Sequence, residues 1–189
     1  MKSHLTTILA MGTLLACLFS VARAEEPKSA GEKYFTDTEL VNQDGKKVRF
    51  YSDVLKGRTV VINAFYTTNT NVDPIISKSL EKIQERLGAR VGKDVVFVSI
   101  SVDPETDTPE RLKVYAKKFN AKPGWMFLTG KKENVQTVLK KLGLYVEDKH
   151  DHLNLLMIGN DATGLWKKAF GLAEPEELLK VVETVMNDK

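Results

Sequence analysis

The chain has 189 residues, with 28 Lys and Arg against 25 Asp and Glu. A formal charge of +3, with basic and acidic side chains interspersed along the sequence, argues against nucleic-acid binding or adhesion to a charged membrane surface. The one cysteine, Cys17, rules out a disulfide framework, so stability has to come from a hydrophobic core, in which a chain of this size can bury roughly 70% of its unfolded surface.

Residues 1–24 have the form of a secretory signal peptide: Lys2, an apolar stretch from Leu5 to Val21, and Ala22-Arg23-Ala24 as an A-x-A cleavage site. The stretch is too short and too rich in Thr and Gly for a transmembrane helix, and the polar Glu25-Glu26-Pro27-Lys28 follows as the mature N-terminus. Cleavage removes Lys2, Arg23 and Cys17 and leaves a charge of about +1. Cys17 could carry a lipid anchor, but Leu18-Phe19 continue the apolar run and favour an ordinary signal core. The expectation is a soluble protein, periplasmic or otherwise exported, with no membrane span after cleavage.

Residues 25–34, polar and containing Pro27 and Gly31, read as a flexible leader, so the domain spans 35–189. Asp44-Gly45 between β-forming runs predicts a hairpin over 38–50 ahead of the main sheet. The nearly continuous apolar runs 59–65 and 94–102 predict strands buried on both faces. Between them Ile75, Ile76, Leu80, Ile83 and Leu87 have a helical period that ends near Gly88, so the unit is a parallel crossover.

A helix follows Asp107-Thr108-Pro109, with either Asp107 or Thr108 as its cap and Leu112, Tyr115, Ala116 and Phe119 on one face. A short strand at 125–128 and a helix from Lys132 to Leu142, closed by Gly143, come next. Residues 153–158 and 165–170 predict an antiparallel pair around the turn 159–164, and Glu174-Pro175 starts a last helix with Leu178, Leu179, Val182 and Val185 inward. A parallel βαβ unit first and a hairpin plus helix last is the order of a thioredoxin-like α/β fold, here with an N-terminal β-hairpin and a central helix/strand insertion.

The loop 65–74 leaves the carboxyl end of a buried strand and enters a helix, which is where α/β sheets bind ligands. Three stretches carry a resemblance. Ser101-Val102-Asp103-Pro104-Glu105-Thr106-Asp107-Thr108-Pro109-Glu110, Asp151-His152 ahead of an apolar strand, and Phe127-Leu128-Thr129-Gly130 are similar to signatures of the Sco/SenC family of thioredoxin-fold copper-handling proteins. The similarity runs from about Phe35 to Met186. It implies copper, bound in that family by two cysteines of a C-x-x-x-C-P motif and one histidine. This sequence reads Asn69-Thr70-Asn71-Val72-Asp73-Pro74 in that frame, so both thiols are replaced, and of the trio His152 remains.

Without thiolates the soft ligands that select Cu(I) and sustain disulfide exchange are gone. Asp73 and His152, with His150 and Asn69, would offer nitrogen and oxygen donors suited to Cu(II), Ni(II) or Zn(II). Asp73 has a second reading, as N-cap before Pro74 at the first helical position. His150 and His152 would point to one side if the strand began there, although Lys149 would repel a cation. Met126, Met157 and Met186 read as core, and Trp125, Trp166 and Tyr66 as core or rim aromatics. The Lys pairs 46–47, 117–118, 131–132, 140–141 and 167–168 read as solvated faces. The expected function is that of a non-enzymatic accessory factor in copper handling or respiratory-oxidase assembly, binding a metal or a protein partner. The alternative is a metal-assisted or acid/base enzyme using an Asp73/His152 crevice.

Overall fold

A computed structural model describes residues 30–189. The signal peptide, Cys17 and the start of the leader lie outside the described residues. Helix α1 (Ala30–Phe35) begins inside the stretch expected to be a flexible leader, because Phe35 is buried against Phe50 and Trp166 and fixes the turn before it.

Strands β1 (Glu39–Asn42) and β2 (Lys47–Arg49) form the hairpin at Asp44-Gly45, where Gly45 takes φ +74°. This hairpin joins the main sheet: β1 pairs antiparallel with β5 (Trp125–Thr129). A π-helical turn, Phe50–Leu55, buries Phe50, Tyr51, Val54 and Leu55, a feature with no periodic signal in the sequence. Then follow β3 (Thr59–Phe65), α2 (Val72–Leu87), β4 (Val95–Ser101), α3 (Pro109–Lys118), α4 (Lys132–Leu142), β6 (Leu155–Asn160), β7 (Leu165–Phe170) and α5 (Pro175–Met186).

The seven strands lie in the order β2-β1-β5-β4-β3-β6-β7. Pairs β3–β4 and β4–β5 are parallel and β3–β6 and β6–β7 antiparallel. This is the mixed α/β, thioredoxin-like arrangement that the element order predicts. All seven residues of β3 and of β4 are buried. Alternation divides them: Val60, Ile62 and Ala64 face a core closed by α1, the π-turn and α4, whereas Val61 and Phe65 face a core closed by α2, α3 and α5. Among the described residues, both cores are built between Phe35 and Met186. A polar chain crosses the second core, with Trp125 Nε1–H donating to Ser99 Oγ at 3.0 Å and the Ser99 hydroxyl to Asn63 Oδ1 at 2.7 Å.

Gly159, expected in the turn, lies in β6 opposite Trp166, whose ring covers it. A Cβ there would sit 2.3 Å from Trp166 Cε3. Gly159→Ala should therefore displace the indole and lower the unfolding free energy by about 1–3 kcal/mol, the usual cost of overpacking, measured by urea denaturation.

Candidate functional site

The carboxyl end of β3 opens into the loop 66–71, and the first turn of α2 returns toward it. The N-cap position is Asn71, whose side chain makes no capping bond, so Asp73 is inside the helix and is not its cap. Its side chain turns back under the loop and is completely buried. Tyr66 N–H donates to Asp73 Oδ2 at 3.0 Å, and His152 Nε2 lies 2.7 Å from Asp73 Oδ1. His152, at 7% exposure, is the last residue of a charged loop that reaches the same end of the sheet just before β6.

The protonation of this pair follows from its partners. His152 Nδ1 faces the Lys149 carbonyl at 3.0 Å, an oxygen that only accepts, so Nδ1 carries a proton. Nε2 then shares a second proton with the Asp73 carboxylate. Burial pushes His152 toward the neutral form, but the hydrogen bond and negative charge of Asp73 and the Lys149 carbonyl outweigh it and hold its pKa above the ordinary value. Both ring nitrogens are committed, Nδ1 to the Lys149 carbonyl and Nε2 to the Asp73 carboxyl group.

The other two expected ligands do not complete a metal site. Residues 149–151 form a 3-10 turn rather than the start of a strand, so strand alternation does not set the directions of His150 and His152. His150 is exposed and its Nδ1 meets the Tyr66 hydroxyl at 3.1 Å, while His152 packs edge-on against the other part of the same ring, centroids 5.4 Å apart. Asn69 is buried, but its Oδ1 accepts from Asn71 N–H at 2.8 Å and closes the loop on itself. Among the described residues no three His, Cys, Asp or Glu side chains are grouped so as to hold a metal ion.

Sequence reasoning missed the carboxylate that braces this loop. Asp107 was a candidate cap, but Thr108 caps α3, accepting from Arg111 N–H, and Asp107 is fully buried. It accepts from the Ser101 hydroxyl at 2.6 Å, from Thr67 N–H at 3.1 Å and from the Thr67 hydroxyl. Asp103 pairs with Lys149 at 2.6 Å, and the Lys149 ammonium stands 5.3 Å from the centre of the Tyr66 ring. Burial opposes ionisation of Asp103, yet the hydrogen bonds of Lys149 and Thr106 hold its pKa below the carboxylate norm. Asp107, backed by Ser101, and Asp103 thus hold the loop that leads to Asp73 and the loop that carries His152. Met126, Met157 and Met186 all pack against the cores.

The SCO1/SenC family profile matches residues 25–187. The chain belongs to the SCO1/SenC family. The SCO2-like protein of Rickettsia conorii is 27% identical over 194 residues, covering 93% of this chain and 91% of that protein. The solved structure of a SCO1/SenC family lipoprotein from Bacillus anthracis matches with a TM-score of 0.66 at 28% identity, over 78% of this chain and 91% of that one. ScoI of Bradyrhizobium japonicum, solved with copper bound, gives a TM-score of 0.65 at 27% identity, over 78% and 96%. The residues present here do not make a Cu(I) site: a buried proton joins one nitrogen to one oxygen, and no sulfur ligand stands beside them.

Removing one partner of a buried pair leaves an uncompensated charge or donor, so Asp73→Asn should cost about 3–5 kcal/mol at pH 6, read from urea denaturation. The raised pKa of His152 fixes the sign of the pH dependence. The pair's contribution is complete below the unfolded value of about 6.5 and is lost as pH rises through the folded value, so the gap between the native chain and Asp73→Asn should narrow on that rise.

Proposed function

We propose that this protein is an accessory factor in copper handling that acts through protein contact and performs no thiol chemistry. The observation that supports this is the Asp73–His152 ion pair, which fills the position where the family resemblance expects thiols and leaves neither ring nitrogen free. The copper-bound relative supports the copper assignment, and the replacement of both thiols separates this chain from copper-coupled disulfide exchange. Asp73 and His152 also have no nucleophile aimed at them: the Thr67 hydroxyl is tied to Asp107, and the partners of the pair are a backbone amide and a backbone carbonyl. Acid/base catalysis at this crevice is the weaker reading for that reason.

A second reading, as a metal site, is favoured by one arrangement, the two imidazoles that both stand edge-on to Tyr66. There His152 and Asp73, with His150 and Asn69 at the margin, would take Cu(II) in place of the shared proton.

Titration of the protein with Cu(I) and Cu(II), followed by calorimetry and by the Cu(II) d-band spectrum, tests both readings. The expected result is no stoichiometric uptake of Cu(I) by the native chain and recovery of Cu(I) binding in Asn69→Cys/Asp73→Cys. Stoichiometric Cu(I) binding by the native chain overturns the first reading. Tight one-to-one Cu(II) binding that disappears in His152→Ala establishes the second.

A further inference from the structure

The side of the molecule that carries α1, α4 and β7 holds a cavity of about 800 Å³ that plays no part in the site described above. Its apolar wall comes from Phe35, Leu142, Met157 and Trp166. Lys56 and Lys141 line it. Lys168 joins them: its ammonium lies 3.7 Å from where a Cβ on Gly143, at the end of α4, would be. None of these three lysines pairs with a carboxylate among the described residues; Lys141 donates to the Tyr34 carbonyl. The acid at the cavity, Asp161, is held by the Tyr51 hydroxyl at 3.2 Å and by Gly57 N–H at 2.8 Å. Two of the large exposed aromatics, Tyr34 and Phe170, stand on the same side, the latter two residues along β7 from Lys168.

Lys141 and Lys168, each read from the sequence as one of a solvated pair, are therefore brought together with Lys56 beside an apolar hollow and two exposed aromatic rings. Long cationic side chains over apolar surface, next to aromatics with one wet edge, are the chemistry of a lipid–water interface. The chain also enters the domain here, at Ala30, which lines the cavity. We propose that this face rests on an anionic phospholipid bilayer, with Lys56, Lys141 and Lys168 toward the headgroups and the Trp166 hollow taking apolar lipid. That orientation places the Asp73–His152 end on a separate surface of the domain, so a partner could reach it while the domain lies on the membrane.

The test uses protein beginning at Glu25, which retains both cores, sedimented with phosphatidylcholine vesicles with and without phosphatidylglycerol. Each lysine near an anionic surface is worth roughly a five-fold change in partition, so Lys56→Gln/Lys141→Gln/Lys168→Gln should bind about a hundred-fold more weakly. Binding should also fall with added salt. The matched variant Lys113→Gln/Lys118→Gln/Lys122→Gln, on and just after α3, should bind as the parent does. Brominated acyl chains should quench Trp166 and leave Trp125, buried in the opposite core, unaffected, so the quench should vanish in Trp166→Phe. Absence of binding to anionic vesicles, equal loss in the two triple variants, or quenching that survives Trp166→Phe overturns the proposal.

Discussion

One buried proton, shared between Asp73 and His152, ties together segments 79 residues apart in sequence. Asp73 belongs to the first turn of α2 and His152 to the loop before β6, and the two meet at the carboxyl end of β3. A carboxyl group with no exposure is tolerated because one oxygen meets His152 Nε2 at 2.7 Å and the other accepts from the Tyr66 backbone. The same contacts set the entry of α2, the path of the 66–71 loop and the position of the Tyr66 ring.

The pair also accounts for how the first turn of α2 is held by a carboxyl group. A carboxylate in the first turn of a helix is favoured by the free amides and the helix dipole, as a thiolate would be. What changes is the partner it selects. A thiolate with an imidazole suits a soft, low-coordinate metal ion; a carboxylate with an imidazole is satisfied by a proton. In this chain the position is closed by the contact of Asp73 with His152.

Around that pair the stretch from Ser101 to Glu110 acts as a brace. Ser101 donates to Asp107 and accepts from Asp103 N–H at 3.0 Å. Asp107 holds Thr67, Asp103 holds Lys149, and Thr108 caps α3. Asp103 and Asp107 reach out to other loops, while Ser101 and Thr108 hold the stretch itself and the helix that follows it. That is a structural reason for so particular a sequence in a chain that lacks the metal ligands.

The order and type of the elements were legible in the sequence because they rest on local chemistry: two apolar runs long enough to be buried on both faces, Asp44-Gly45 at a hairpin, Thr108-Pro109 at a helix start and Gly143 at a helix end, where it takes φ +67°. Asp73 and His152 could be named as candidates because each stands at a recognisable place in a motif. Their relation could not be read. Whether a carboxylate caps its own helix, holds a cation or shares a proton with an imidazole depends on what a segment 79 residues away brings to it. The same holds for Asp107, which the local pattern offers as a cap and the fold buries under a loop. It holds too for the lysines at 56, 141 and 168, which sequence distance scatters and the fold gathers beside one cavity. Burial and long-range pairing decide these roles, and neither exists until the chain has folded.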